Sequence, residues 1–199
     1  YQACMAKAQE LRTSRAKAAR KVEAELSKRL VPLGIPNVRF QIQMSDKALS
    51  SDGIDRLQFY FSANKNTPLQ PIAQIASGGE IARVMLSLKA MVSGAVKLPT
   101  IIFDEIDTGV SGRVAEQMAH IMREMGDAHR QVISITHLPQ IAAVGTTHYK
   151  VSKEDRDDTT VSHMRLLCPE ERVAEIAQML SGNDITPAAI ENAKSLLRI

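Results

Sequence analysis

Two adjacent carboxylates, Asp104 and Glu105, follow an apolar run over residues 100–103 that is typical of a short buried strand. Open α/β sheets bind ligands at the carboxyl ends of their strands, and successive side chains of a strand point in different directions. One carboxylate could therefore hold Mg²⁺ while the other orients or deprotonates a water that attacks a phosphate. Because many strands end in polar residues, the pair alone leaves a purely structural role equally open.

A glycine-rich turn, Ser77-Gly78-Gly79-Glu80, stands directly before an apolar helical run. The two glycines allow the backbone to approach an anion closely, and a helix N-terminus offers free N–H groups and the positive end of its dipole. Ser77 adds a hydroxyl donor. The turn is a candidate phosphate-contacting loop, although a simple loop and helix cap has the same composition.

His137 follows a second short apolar run, residues 132–135. If this run is the parallel neighbour of the first strand, His137 lies on the same sheet edge as Asp104. A histidine there can donate a hydrogen bond to a phosphate oxygen or steer the attacking water. The remaining histidines fall in predicted helix, loop or alternating strand, and we expect them to be non-catalytic: His120, His129, His148 and His163.

Residues 1–30 are predicted to form one long helix. Its apolar residues recur every three or four positions in a narrow, alanine-rich stripe that only Arg15 interrupts, which is typical of a coiled-coil strand or of an amphipathic helix lying on a domain. The prolines of segment 31–36 end it. Alternating strands are predicted at 38–44 and 57–61, with a polar loop over 45–55 between them.

After residue 75 the pattern changes to apolar strands that alternate with helices, which predicts an α/β fold with parallel strands buried on both faces. Two more strands are predicted at 147–153 and 159–167, with a charged turn over 153–158. Helices at 170–181 and 187–198 follow, and Thr186-Pro187 supplies an N-cap and a first-turn proline for the second.

Composition excludes several classes of protein. Aromatic residues make up 4% of the chain and Trp is absent, which disfavours a base-stacking platform. No apolar run reaches the roughly 18 residues of a membrane span. Cys4 and Cys168 form no metal-binding spacing and indicate reduced thiols in a cytoplasmic protein. The N-terminus has neither a secretory signal nor an initiator Met, so we expect a fragment.

The positive charge of the chain is concentrated in its first segment. Residues 1–30 hold eight Lys or Arg and three Glu, whereas the remainder holds 17 basic and 19 acidic residues. The excess could contact nucleic acid, but no sequence-reading motif accompanies it, and a solvated helix face is the favoured interpretation.

The three motifs, in their order along the chain, resemble the C-terminal lobe of ABC-type ATPase heads. There the Ser-Gly-Gly turn is the signature loop, the strand ending in Asp-Glu is Walker B, and the histidine is the switch histidine. The amino-acid sequence around the motifs narrows the resemblance to the RecN family, bacterial SMC-like ATPases of double-strand-break repair. Four segments carry this narrower resemblance: 77–83, 103–113, 136–140 and 171–182. The resemblance covers nearly the whole chain.

The resemblance implies an α/β fold: the C-terminal lobe of an ABC/SMC-type P-loop ATPase head, a mostly parallel sheet flanked by helices. Residues 1–30 would be the end of a coiled-coil stalk and residues 31–199 the lobe. The cofactors implied are ATP and Mg²⁺, and the activity is ATP hydrolysis.

Residue by residue, the resemblance assigns Mg²⁺ to Asp104, the general base to Glu105 and the γ-phosphate contact to His137. The signature loop, Ser77, Gly78, Gly79 and Glu80, would clamp ATP held by a second head. Most ABC proteins have an Asp where this chain has Ser111, and RecN-like chains share this departure. The role that the loop has in other ABC proteins is therefore not assigned to it here.

The sequence contains no G-x-x-x-x-G-K-[ST] phosphate cradle. In SMC-like proteins the cradle lies in an N-terminal lobe, so we expect the chain alone to bind ATP poorly and not to hydrolyse it. The implied partners are that lobe, a second head in a homodimer, DNA ends or single-stranded regions, and a recombinase. No membrane partner is implied. The implied location is the bacterial cytoplasm, at the nucleoid. The alternatives are a non-catalytic DNA- or protein-interaction module, or another SMC- or Rad50-type head.

Overall fold

The computed structural model describes residues 1–75, 78–93, 98–127, 130–156, 159–182 and 184–199. They form two compact units, Tyr1–Val92 and Ser93–Ile199. Among these described ranges, no helix is both long enough and apolar enough to cross a membrane.

The first unit is a long helix packed on an antiparallel sheet. Helix α1 (Gln2–Leu30) precedes strands β1 (Arg39–Ser50), β2 (Gly53–Ser62) and β3 (Gln70–Pro71), which lie in that order in the sheet. A short 3₁₀ helix (Ile72–Gln74) and helix α2 (Gly78–Val92) follow. The core of this unit combines buried residues of α1, the turn after it, β1, β2 and α2: Leu26, Leu30, Leu33, Ile35, Phe40, Phe61, Val84 and Leu86.

The β1–β2 hairpin is longer than the sequence predicted. The polar segment 45–55 was expected to be a loop, but β1 continues to Ser50 and β2 begins at Gly53. That expectation was wrong because two carboxylates of the segment, Asp46 and Asp55, bind arginines of helix α1 and hold the hairpin to it. Gly53 has a φ of 102°, and a Cβ there would lie 3.1 Å from Nη1 of Arg15, so helix and hairpin approach closely at this point.

A buried ion pair joins α1 to the hairpin. The side chain of Asp55 has no exposed surface, and its two oxygens accept from Nε of Arg12 at 2.6 Å and Nη1 of Arg15 at 3.2 Å. Burial alone would raise the pKa of Asp55, but the hydrogen bonds and charges of the two arginines outweigh it and hold that pKa below its usual value. Arg15, which interrupts the apolar stripe of α1, is thus a structural contact.

In the part that the structure describes, the second unit contains a parallel strand pair and four helices. Strand β4 (Thr100–Asp104) lies parallel to β5 (Gln131–Ile135), and helix α3 (Gly112–Asp127) connects them. Helix α4 (Pro139–Val144), the antiparallel hairpin of β6 (Tyr149–Arg156) and β7 (Thr159–Leu166), and helices α5 (Pro169–Ser181) and α6 (Pro187–Leu197) follow. The predicted α/β class and the predicted parallel pair are confirmed, whereas the other strand pairs of the described residues are antiparallel.

The helices of this unit bury apolar side chains in two groups. Helix α3 buries residues three or four apart: Ala115, Met118, Ala119, Met122 and Met125. Helices α4, α5 and α6 share a second cluster: Ala143, Ile176, Ala177, Ala189 and Ala193. The predicted cap of α6 is present, because the side chain of Thr186 accepts from the N–H of Ala189.

The β6–β7 hairpin turns its polar face to α5 and its apolar face outward. On the inner side, Lys150 binds Glu175, and Arg165 binds Glu171. The cross-strand pairs of the other face are apolar and more than half exposed: Tyr149 with Leu166 and Val151 with Met164. The predicted charged turn falls partly on residues 157–158, outside the described residues.

Candidate functional site

The register of β4 on β5 brings three of the predicted site residues to one sheet edge. Asp104 is the partner of Ile135, and the N–H of Glu105 donates to the carbonyl of Ile135 at 3.1 Å. His137 lies two residues beyond Ile135 on the same edge. The side chains of Asp104, Glu105 and His137 are exposed, so a ligand can reach all three.

Glu105 has an unusual backbone. Its φ is 46°, one of two positive values at a non-glycine residue in the part of the chain that the structure describes. The left-handed region is costly for a side chain with a Cβ, and such residues concentrate at functional sites. Two hydrogen bonds hold it there, since the carbonyl of Glu105 also accepts from the hydroxyl of Thr108 at 3.0 Å.

A buried carboxylate connects the two loops of this edge. Asp107 is 1% exposed, and the hydroxyl of Thr136 donates to its Oδ2. The Thr136 oxygen in turn accepts from the N–H of Leu138 at 2.9 Å. Asp107 therefore fixes the loop that carries Glu105 against the loop that carries His137.

Sequence reasoning assigned no role to Asp107. Its only signal is the turn-forming composition of Asp107-Thr108-Gly109, which does not distinguish an exposed turn residue from a buried one. Its second oxygen, Oδ1, is buried without a hydrogen-bond partner within the described residues. Gly109 and Gly112 have φ values of 75° and 52° and allow the loop to turn on either side of exposed Ser111.

The residues that the resemblance assigns to a signature loop fall in the first unit of the chain. Ser77 falls outside the described residues. Gly78, Gly79 and Glu80 are the first three residues of α2. Arg83 anchors this turn, because its guanidinium donates to the carbonyls of Gly79 at 3.0 Å and Leu33 at 2.9 Å.

Gly78 faces open space. It is exposed, its φ is not in the left-handed region, and a Cβ built on it would meet no heavy atom within 4 Å. Packing inside the described chain therefore does not require a glycine at this position. A glycine is useful there if something from outside must approach the backbone.

The exposed carboxylates fit a Mg²⁺ ion that is bound together with phosphate better than a metal ion held by protein side chains alone. No group of three or more His, Cys, Asp or Glu side chains among the described residues could hold a metal. Mg²⁺ commonly takes one or two carboxylates and completes its shell with water and phosphate oxygens, which the single carboxylate Asp104 at an open edge fits. A cavity of about 380 Å³ elsewhere in the same unit is lined by none of the three edge residues.

The fold is that of SMC ATPase heads. The chain superimposes with a TM-score of 0.61 on an Smc head domain with a coiled coil and joint from Pyrococcus yayanosii, at 20% identity over 84% of this chain and 30% of that one. A structure from work on ATP-driven dimerisation and DNA-stimulated activation of SMC ATPases matches with a TM-score of 0.54, at 17% identity over 86% of this chain and 99% of that one. No family model matches the sequence.

The sequence itself is RecN-like. The chain is 38% identical to the DNA repair protein RecN of Vibrio cholerae over 199 residues, which are 99% of this chain and 36% of that protein. It is 43% identical to RecN of Bacillus subtilis over 75% of this chain and 26% of that one, and 43% identical to RecN of Deinococcus radiodurans over 83% and 29%. The predicted resemblance is confirmed, and the chain spans about a third of the length of these relatives.

Proposed function

We propose that this chain supplies one half of the ATP-hydrolysing head of a RecN-like protein that acts in DNA double-strand-break repair and recombination. The observation that carries the proposal is the parallel register of β4 on β5, which brings Asp104, Glu105 and His137 to one open edge. The likeness to the DNA repair protein RecN of other bacteria supports the biological setting.

Each edge residue has a role that suits its chemistry. Asp104 holds the Mg²⁺ of a bound ATP, and this ion offsets negative charge on the phosphates when it is bound. Glu105, at the end of β4 in a strained conformation, takes the proton of the attacking water. His137 donates a hydrogen bond to the γ-phosphate.

The start of α2 contacts a nucleotide held by a second copy. In this arrangement Ser77, Gly78, Gly79 and Glu80 clamp the ATP of another head, and ATP joins the two. The open space above Gly78 supports such an approach from outside the chain, and the free N–H groups at the start of a helix attract phosphate. Hydrolysis would then allow the heads to separate.

The phosphate cradle must come from the rest of the protein, since this sequence has no P-loop. Two uncovered apolar faces support docking of that N-terminal lobe. On the parallel pair, Ile102, Ile133 and Ile135 are 40–61% exposed on one face, and the outer face of the β6–β7 hairpin is apolar as well. Patches of this kind mark interaction surfaces.

The remaining parts of the proposal follow the RecN likeness. Residues 1–30 are the end of a coiled-coil stalk and residues 31–199 the lobe, the partners are a second head, DNA ends or single-stranded regions and a recombinase, and the location is the bacterial nucleoid. The RecN matches favour this function over a non-catalytic interaction module or a different SMC- or Rad50-type head.

The test is Mg-ATP hydrolysis by this chain alone and by the chain co-expressed with the N-terminal P-loop lobe. We expect turnover only in the reconstituted head, and a loss of about 100-fold or more in Glu105→Gln. Glu124→Gln, which removes an exposed carboxylate of α3, is the matched control and should remain active.

Two outcomes would contradict the proposal. Turnover by the 199-residue chain alone, abolished by Glu105→Gln, would show that no second lobe is needed. Absence of both binding and turnover in a correctly folded reconstituted head would remove the catalytic roles of Asp104, Glu105 and His137 and favour an interaction module.

A further inference from the structure

Asp107 is a buried carboxylate whose hydrogen bonding is incomplete. It is 1% exposed, and among the described residues only its Oδ2 accepts a hydrogen bond, from the hydroxyl of Thr136. Burial of a polar group without its hydrogen bonds is unfavourable, and an apolar side chain would fill the space without this cost. Packing alone therefore does not account for an aspartate at this position.

The backbone around Asp107 connects its side chain closely to Glu105, two residues earlier. The N–H of Val110 donates to the carbonyl of Asp107 at 3.2 Å and closes the turn on one side. The hydroxyl of Thr108 donates to the carbonyl of Glu105 at 3.0 Å and closes it on the other. In such a closed turn, movement of the Asp107 side chain also moves the backbone of Glu105, which has a φ of 46°.

Thr136 has the matching position in the loop after β5, directly before His137. Its oxygen also accepts from the N–H of Leu138 at 2.9 Å, so one hydroxyl holds the backbone on both sides of His137. The hydrogen bond from Thr136 to Asp107 therefore joins the two loops at residues that adjoin the exposed site residues but are not themselves exposed.

Strand pairing by itself ends just before these loops. The register of β4 on β5 ends with Asp104 opposite Ile135, and one more backbone hydrogen bond follows, from the N–H of Glu105 to the carbonyl of Ile135. Beyond it, in the part of the chain that the structure describes, the bond from Thr136 to Asp107 is the hydrogen bond that connects the two loops. The separation of Glu105 from His137 thus depends on this buried pair.

We propose that Asp107 is a positioning residue for ATP hydrolysis, which acts through Thr136 to fix Glu105 relative to His137. The inference rests on the proposed function, in which Glu105 is the base and His137 contacts the γ-phosphate. Asp107 is buried and acts only through these two residues. Misplacement of a reacting group by about 1 Å can lower a rate on the order of 100-fold, so a small shift of either loop is sufficient.

The test compares three variants of the reconstituted head: Thr136→Val, Asp107→Leu/Thr136→Val and Asp107→Asn. The double variant replaces both partners with apolar groups, so it should resist urea better than Thr136→Val, which leaves the carboxylate alone. Its kcat should nevertheless stay about 10- to 100-fold below wild type, with KM for ATP changed less than about threefold. Asp107→Asn keeps an oxygen that can accept from Thr136 and should restore kcat to within about threefold of wild type.

A matched control removes a side-chain hydrogen bond between the same two strands at their opposite ends. There the hydroxyl of Thr100 donates to Oε1 of Gln131 at 3.1 Å, and these two residues are partners in the register. Thr100→Val/Gln131→Leu should keep kcat within about twofold of wild type, because the carboxyl ends of the strands stay tied.

A second measurement does not require turnover. Hydrogen exchange of the Glu105 N–H in the chain alone reports local opening of the edge, and it should become about 10-fold faster in the double variant while the control stays at the wild-type rate. If the wild-type head lacks turnover, the proposed function fails, and this exchange rate still decides whether Asp107 holds Glu105 in place.

Four results would overturn the inference. They are a double variant whose kcat recovers together with its stability, an Asp107→Asn head as slow as the double variant, an equal loss of kcat in the control, and an unchanged exchange rate at Glu105. The first would show that the pair of Asp107 and Thr136 has a structural role only.

Discussion

Thr136 donates a hydrogen bond to the buried carboxylate of Asp107 and so ties the loop after β5 to the loop after β4. The two residues are 29 positions apart in sequence, and their loops carry Glu105 and His137. The other oxygen of Asp107 has no hydrogen-bond partner among the described residues. Within them, Thr136 is therefore the donor on which the buried carboxylate depends.

Thr136→Val should therefore destabilise the chain by about 1–3 kcal/mol, since it leaves a buried carboxylate without a donor. Thr136→Ser keeps the hydroxyl and should cost much less. Urea unfolding of both variants measures the difference. Equal stability of the two variants would show that the bond to Asp107 contributes nothing.

Glu105→Gly should be more stable than Glu105→Ala by about 1 kcal/mol. Both changes remove the carboxylate, but only glycine relieves the cost of a Cβ at a φ of 46°. Thermal unfolding gives the stability difference, and both variants should lack hydrolysis in the reconstituted head. If alanine is the more stable of the two, Glu105 does not adopt this conformation in solution.

Two glycine substitutions should have opposite consequences. Gly53→Ala places a Cβ at a φ of 102° and 3.1 Å from the guanidinium of Arg15, so it should cost about 1–3 kcal/mol of unfolding free energy. Gly78→Ala meets nothing within 4 Å and should leave stability unchanged while it weakens ATP-driven association of reconstituted heads. Light scattering with ATP and Glu105→Gln heads reports that association, and association at wild-type strength would argue against the clamp role of Gly78.

His148 predicts a pH dependence near neutrality. Burial, and then the charge of Arg172, lower the pKa of His148 below its usual 6.5; Nε2 of His148 lies 3.3 Å from Nη2 of Arg172. As pH falls through 6.5, His148 is therefore protonated more readily in the unfolded chain than in the folded chain. The free energy of unfolding should fall as pH drops from about 7 to 5.

His148→Gln should flatten that fall, which urea unfolding at several pH values measures. His163→Gln is the control, because His163 is half exposed beside Glu154 and lacks this burial. A pH profile that changes equally in both variants would remove His148 as its cause.

Much of the candidate site could be predicted from local sequence. Residues 100–105 and 132–137 each consist of an apolar run followed by polar residues, and buried parallel strands have this pattern because both of their faces are covered and their carboxyl ends are open. The pairing of β4 with β5 followed from that pattern and the helix between them. The N-cap at Thr186 was equally local, since a cap depends only on the three residues that follow it.

Other features depended on contacts between distant segments. The hairpin continues through the polar segment 45–55 because Asp55 meets Arg12 and Arg15, about 40 residues earlier. Likewise, alternation placed Tyr149 and Val151 on one face of β6, but only the ion pairs to α5 decided that this face points outward.

The sequence by itself determined the order of the motifs, the α/β class and the RecN resemblance, because these depend on residue type and spacing along the chain. Tertiary structure decided the backbone of Glu105, the burial of Asp107 and the length of the β1–β2 hairpin. Those three properties depend on hydrogen bonds and ion pairs between residues far apart in sequence, and no local pattern encodes which partners will meet.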